Sequence, residues 1–314
     1  MAIVLSDDDL DRSTTMPIAI KAIEEAMAAR SAGVLISPPR HNVVFGGKGD
    51  LVFTIGGTIG EGSIAGFRVY ETFNGPRHEQ VVAVWSTETA ELQGLVVGSR
   101  LGNIRTGAIG GIAIRHMSSP SVRTVGVIGS GQQARTQLEA AALVRRLDHV
   151  RVYSRHEQNR CTFSAEMEQR LGIPVEPVDS PRRAVSEADI VICATTSRTP
   201  VMEAAWLKPG VHINTLGPKT VDEHELGFDI AAAAHLIATD SLEQTDAYKA
   251  PFFLRGSPDA VRLVDLAAIV SGRLPVRQAH DQTTLFCSAG LAGTEVLVAS
   301  KLLAASGGGK APAA

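Results

Sequence analysis

One short stretch near the middle of the chain restricts its fold more than any other. Residues 125–134 read VGVIGSGQQA, an apolar run ending in Gly129-Ser130-Gly131-Gln132-Gln133-Ala134. This is the GxGxxA form of a dinucleotide-binding turn. The first glycine makes the tight bend, the second lets backbone approach a pyrophosphate, and the alanine allows close helix–strand packing. A helix opening near Gln132 would turn free N–H groups and a positive dipole end toward phosphates. Glycine-rich turns also join strands to helices in many other folds, so context decides. Here an apolar strand precedes the turn, QQARTQLEAAALVRRL reads as a helix, and a second strand, HVRVYSR, ends about 20 residues further on.

The same texture continues. NRCTFSAEMEQRLG and PRRAVSEA read as helices; PVEPV, DIVICAT, VHINTLG and AHLIATD read as strands. Strands alternating with helices at this spacing predict an α/β fold with a doubly wound, Rossmann-type parallel sheet. Cofactor specificity is read at the end of the second strand. An Asp or Glu there suits the ribose 2′-hydroxyl of NAD, whereas Ser154 and Arg155, with Arg160 nearby, suit the 2′-phosphate of NADP. NADP(H) is therefore preferred, with NAD(H) possible if Arg155 is merely a solvated arginine. Thr195 and Thr196 end the DIVICAT strand at its carboxyl edge, where ligands bind in open parallel sheets. Gly217, after the NTL strand, and Ser288 are counted with the cofactor-binding set.

The first part of the chain has a different pattern. A short strand at 2–5 precedes a helix with Ile18, Ile20, Ile23, Ala26 and Met27 on one side. The loop SPPR at 37–40 holds the chain extended before Arg40. From Val43 to Val97, four to six strand-like segments separated by turns such as GGKGD and NGPRHE predict a small, mostly antiparallel sheet. NIRTGAIGGIAIRHM (103–117) reads as a helix with small residues on one face, ended by Pro120. A last small-residue helix spans 289–305, and the tail SGGGKAPAA is expected to fray.

Composition excludes several classes. With 44% hydrophobic and 20% charged residues, 30 glycines and a net charge of −3, the chain has material for a core and no basic nucleic-acid footprint. No apolar run reaches the ~18–20 residues of a membrane span. The opening MAIVLSDDDL is too short and acidic for a signal peptide, so a soluble cytoplasmic protein is expected. Cys161, Cys193 and Cys287 lack metal-ligand spacing and read as reduced core or near-core residues, a functional thiol at Cys287 being the alternative. No metal site is expected.

Six segments carry a resemblance over most of the chain: PPR at 38–40, GFRVYETF at 66–73, IRTGA at 104–108, GVIGSGQQA at 126–134, WLKPGVHINTLG at 206–217 and LFCSAGLAGTEVLVA at 285–299. Their order and spacing resemble the ornithine cyclodeaminase/μ-crystallin family. The resemblance implies an α+β substrate-binding and dimerisation domain, residues 1–118 with 288–314, around an NAD(P)-binding domain at 119–287. It implies a homodimer paired through the substrate-domain sheet, and enzymes that form or reduce imines of small amino acids. It also places Arg40 and Arg105 where the family keeps carboxylate-binding arginines, and a guanidinium can grip a carboxylate bidentately. For Arg105 the alternative is a surface or interface charge.

Two departures change the expected chemistry. Arg68 stands where the family usually has a lysine, and arginine stays charged and is a poor acid. Arg68 could hold a second carboxylate, leaving protonation to water or another group. After Gly217 the run PKTVDEHEL lacks the aspartate that ornithine cyclodeaminases carry. Lys219 becomes a candidate proton donor or carboxylate ligand, the alternative being a solvated loop lysine, while His224 is expected to cap or pack. The expected function is an NAD(P)H-dependent imino-acid (ketimine) reductase or amino-acid dehydrogenase working on a small or dicarboxylic substrate. The alternatives are a cyclodeaminase of another diamino acid, and a non-enzymatic NADP-dependent binding protein.

Overall fold

A computed structural model describes residues 2–12, 14–73, 75, 78–277 and 279–307. The chain divides into two compact units, one made of residues 1–105 and 291–314, the other of 106–290.

In the first unit, β1 (Ile3–Leu5) is followed by α1 (Thr15–Ser31), β2 (Leu35–Ile36), β3 (His41–Val44), β4 (Asp50–Thr58), β5 (Ile64–Glu71), β6 (Gln80–Ser86) and β7 (Leu92–Gly98). The sheet order is β1-β7-β6-β5-β4-β2, with β3 also on β4; β1 joins in parallel and the remaining pairs are antiparallel. Five of these strands fall between Val43 and Val97 or just before, as the alternating pattern predicts. The NGPRHE turn lies partly outside the described residues. Alternation also assigns the two faces. Val52, Thr54, Gly56, Gly66, Arg68, Gln80, Val82 and Val84 point one way, and the final helix, Thr294–Gly307, packs there. A Cβ on Gly66 would meet Val296, and one on Gly56 would meet the backbone of Gly293. The opposite face carries Phe53, Ile55, Phe67 and Trp85, which line a hollow of about 340 Å³.

That final helix begins five residues later than the sequence pattern suggests. Gly290 and Gly293 hold φ of 89° and 81°, left-handed values that no helix contains, so 289–293 forms a turn instead. Asp240 anchors that turn by accepting from the N–H groups of Ala289 (2.7 Å) and Gly290. Residues 308–314 of the tail lie outside the described residues.

Helix α2 (Leu101–Met117) starts in the first unit and ends in the second. The second unit then runs β8 (Thr124–Ile128), α3 (Gln132–Val144), β9 (His149–Tyr153), α4 (Glu157–Leu171), β10 (Val175–Pro177), α5 (Pro181–Val185), β11 (Ile190–Cys193), β12 (His212–Thr215), α6 (Phe228–Ala233), β13 (Leu236–Thr239), α7 (Leu242–Asp246), β14 (Leu263–Asp265), α8 (Leu266–Val270) and β15 (Thr284–Cys287). All eight strands are parallel, in the order β10-β9-β8-β11-β12-β15-β13-β14. The chain leaves β8 toward β9 and β10, then returns to the other side of β8 with β11. That reversal makes the carboxyl edge between β8 and β11 the switch point where such sheets bind ligands.

Strand interiors are apolar on both faces, as helices on both sides require. Cys193 and Cys287 belong to this core; burial pushes the Cys287 thiol up to about 12, so it is an inert thiol. Cys161 does not: it lies on the solvent side of α4 and is exposed, because only Phe163, Ser164 and Met167 of that helix face inward.

A buried polar layer crosses the core. His212 approaches Thr284 Oγ1 through Nδ1 (2.8 Å) and Asn214 Oδ1 through Nε2 (2.9 Å). Asn214 donates to the carbonyl of Gly110 and to Gln137 Oε1, and Gln137 donates to the carbonyl of Thr106. Burial, reinforced by the Arg277 guanidinium, pushes the His212 pKa down to about 3. Between pH 6.5 and 3 the unfolded chain therefore binds a proton that the folded chain refuses, and stability falls as pH falls. His212→Gln removes this dependence. Between pH 7 and pH 5 the wild type should lose about 2 kcal/mol more unfolding free energy than the variant. Urea titrations at the two pH values check this, and parallel losses would refute it.

Candidate active site

In the second unit the cofactor-binding candidates gather at one edge. Gly129 follows β8, Ser154 and Arg155 follow β9, Thr195 and Thr196 follow β11, Gly217 follows β12, and Ser288 follows β15. The register aligns Ile128, Cys193, Thr215 and Cys287 side by side, so the residues after them share the carboxyl edge of the sheet.

Gly129 has φ of 110°, and a Cβ there would sit 2.1 Å from the carbonyl oxygen of Ala194. Only glycine fits where the β8 turn crosses the end of β11. Gly131 differs. It caps α3 with an ordinary φ of −81°, and a Cβ there would meet nothing within 4 Å. The space above its backbone is open, as a cradle for a pyrophosphate requires, and α3 runs away from it with Gln132 and Gln133 at its start. Ala134, fully buried, packs that helix on the sheet. The carbonyl of Ser130 accepts a hydrogen bond from Arg135.

At the β9 end, Ser154 Oγ donates to the carbonyl of His156 (3.1 Å), and Arg160 donates to the carbonyl of Ser154 (3.2 Å). Arg155 is exposed and makes no hydrogen bond or ion pair among the described residues.

Glu225, which sequence reasoning passed over, organises the other strand ends. Fully buried, it accepts at Oε2 from the Thr195 N–H (2.8 Å) and hydroxyl (2.7 Å). At Oε1 it accepts from the Thr215 hydroxyl and from the N–H groups of Leu216 and Gly217. One carboxylate thus locks the turns after β11 and β12 together, and the Thr195 hydroxyl is engaged by it. A Cβ on Gly217 would sit 2.3 Å from the carbonyl of Thr195, a second measure of how closely these turns pass. Thr196 is exposed, and Ser288 donates its N–H to the Thr215 carbonyl. Lys219 is not a solvated loop lysine: it is buried, and its ammonium donates to the carbonyls of Leu216 (3.0 Å) and Gly217 (2.5 Å). His224 packs, stacking on Phe253 with its Nδ1 3.1 Å from the carbonyl of Thr220.

In the first unit, Arg68 and Arg105 converge on Glu295. This second missed carboxylate comes from the first turn of the final helix and is fully buried. Its Oε1 accepts from Arg68 Nη1 (3.0 Å) and from Arg105 Nη2. Burial opposes its charge, but the Arg105 and Arg68 guanidiniums outweigh it and hold the carboxyl below its usual range. Arg68 donates from Nε to Gln80 Oε1 and lies 4.1 Å over the Tyr70 ring, whose hydroxyl accepts from Arg40 (3.4 Å). Three buried polar atoms of this cluster have no hydrogen-bond partner: Glu295 Oε2, Arg105 Nε and the hydroxyl of Thr54, which pairs with Arg68 in the β4–β5 register. Glu295 had a faint signal in the sequence, as a lone acid inside an apolar run, whereas Glu225 sits among Asp222, Glu223 and His224 and had none.

Among the described residues, no group of three or more His, Cys, Asp or Glu could hold a metal ion, and no helix is long and apolar enough to cross a membrane.

The profile of the ornithine cyclodeaminase/mu-crystallin family matches residues 2–304. The chain belongs to this family. A Delta(1)-pyrroline-2-carboxylate reductase of Bacillus cereus is 32% identical over 237 residues, covering 74% of this chain and 71% of the relative. Among solved structures, the Thermococcus litoralis Delta(1)-pyrroline-2-carboxylate reductase in complex with NADH and L-proline matches at a TM-score of 0.87 and 27% identity, covering 96% of each chain. An archaeal alanine dehydrogenase dimer with bound NAD matches at a TM-score of 0.85 and 27% identity, covering 96% of this chain and 95% of that one.

Proposed function

We propose that this protein is an NAD(P)H-dependent reductase of small imino acids. In this reading residues 106–290 bind the dinucleotide and the unit containing Arg40, Arg68 and Arg105 binds the substrate. The observation that carries it is the Arg105 cluster: a buried guanidinium whose Nε is unpartnered and whose charge is only half matched, since one carboxylate faces two arginines. A desolvated cation of this kind suits a substrate carboxylate.

The cradle residues fit a dinucleotide. Gly129 and Gly131 leave room for the pyrophosphate, the α3 N-terminus offers its N–H groups, and Ser154 and Arg155 face a ribose with its 2′ substituent. Reduced nicotinamide, when bound, supplies hydride to the carbon of a C=N bond. Glu225 holds the turns that border the cofactor in place and keeps Thr195 and Gly217 fixed. Arg40 and Arg105 hold the substrate carboxylate. Arg68 stays protonated near neutrality and positions the cluster rather than donating a proton. The exposed Arg155 favours a 2′-phosphate, so NADPH is the preferred cofactor. The apolar sheet face with Phe53, Ile55, Phe67 and Trp85 supports a homodimer paired through it.

The test is turnover. Delta(1)-pyrroline-2-carboxylate, and pyruvate with methylamine, should each consume stoichiometric NADPH with kcat/KM above that for NADH, and light scattering should return a dimer mass. Ammonia release from a diamino acid without net cofactor consumption would identify a cyclodeaminase instead. No turnover on any imine, with tight NADPH binding retained, would favour a binding protein.

A further inference from the structure

Arg68 is held on several sides. Its Nε is given to Gln80, its Nη1 to Glu295, and its face to Tyr70. Its Nη2 lies against Gly102, where a Cβ would come within 2.5 Å of it. Two of its five N–H donors are engaged by protein acceptors, and the stacked ring and the Gly102 backbone hem in the rest of the group. Arg105 gives one nitrogen to Glu295 and keeps its buried Nε unpartnered, and Glu295 Oε2 and the Thr54 hydroxyl are likewise buried without partners.

Charges confirm the division. Two guanidiniums around one buried carboxylate leave a single positive charge, and in a low-dielectric interior that charge is felt strongly. Arg40, the remaining cation, meets this cluster at the Tyr70 hydroxyl and is partly exposed, where water and salt screen it. We propose that Glu295 and Arg68 form an internal ion pair that leaves Arg105 as this cluster's one buried cation for substrate, so that the site selects ligands with one carboxylate and an uncharged remainder. This narrows the substrate class implied by three arginines in the sequence, which had suggested a small or dicarboxylic substrate, and it rests on the reading of this cluster as the carboxylate site. Glu295 and Arg68 are positioning residues here; Arg105 is the buried contact, and Arg40 meets the same carboxylate from the partly exposed side.

The test uses binding as well as turnover, so that it can be read even if no imine is reduced. Picolinate and dipicolinate are planar, unreactive probes with one and two carboxylates. Calorimetry on the intact chain with NADPH present should find picolinate bound at least about tenfold more tightly. Glu295→Gln raises the buried charge to two and should erase or invert that ratio. Arg68→Gln leaves Arg105 neutralised and should weaken both probes about tenfold or more. The double variant R68Q/E295Q restores a single charge and should return picolinate affinity to within about threefold of wild type. Equal or tighter dipicolinate binding by the wild type overturns the proposal without any variant. So does an unchanged ratio in a folded Glu295→Gln protein, or a double variant no better than Arg68→Gln alone. Turnover failing while this binding pattern holds would reject the reductase reading and keep the charge assignment.

Discussion

Arg105→Gln should lower kcat/KM for imine reduction about a thousandfold while leaving the NADPH dissociation constant unchanged. The loss corresponds to about 4 kcal/mol, the range found when one partner of a buried, hydrogen-bonded charge pair is removed. Arg105 is buried, and its Nε has no partner within the protein. Glutamine keeps part of the volume and a polar end but no charge, so the substrate carboxylate would be desolvated without compensation. Glu295 keeps its bond to Arg68 in the variant, so the fold should survive. Cofactor affinity is the control, because the candidate dinucleotide residues belong to 106–290 and Arg105 does not. Steady-state kinetics and a nicotinamide fluorescence titration measure both quantities. A kcat/KM within about threefold of wild type would remove Arg105 from the substrate site.

The second large effect separates the two glycines of the turn. Gly131→Ala should leave thermal stability unchanged, within about 0.5 kcal/mol, and weaken NADPH binding by about 10- to 100-fold. At Gly131 the backbone is ordinary and a Cβ meets no protein atom, so the only thing it can obstruct is a bound ligand. Gly129→Ala should instead destabilise the fold by about 3 kcal/mol or more, since it adds left-handed strain to a clash with Ala194. Thermal unfolding with and without NADPH reads both. If Gly131→Ala bound NADPH as the wild type does, the pyrophosphate would not pass over this residue.

Much of the architecture was legible because its causes are local. The GxGxxA turn, the alternation of apolar strands with helices, and the small face of 103–117 each report a backbone requirement met within a few residues. β14 and β15 were harder to see. β14 is three residues long, and β15, within LFCSA, was read only as a matched segment. The start of the final helix was misplaced because apolar periodicity runs straight through 289–293, and only the left-handed glycines, held by Asp240, show that the helix is not continuous there.

The candidate site was legible as residue types and not as partnerships. Arg68, Arg105 and Lys219 were visible as cations, but a cation's role depends on which anion or carbonyl it meets. Glu295 is 190 positions from Arg105 and 227 from Arg68. No spacing rule links them; the final helix must return to the sheet before they touch. Lys219 shows the same dependence at short range, since its turn folds its ammonium back onto two carbonyls.

The sequence by itself determined the parallel sheet, the dinucleotide turn and the family, because glycine stereochemistry and hydrophobic period act over neighbouring residues. Only the tertiary structure decided which arginines share the buried carboxylate. Charge compensation is settled by distance in space, and one buried glutamate from the far end of the chain sets the balance.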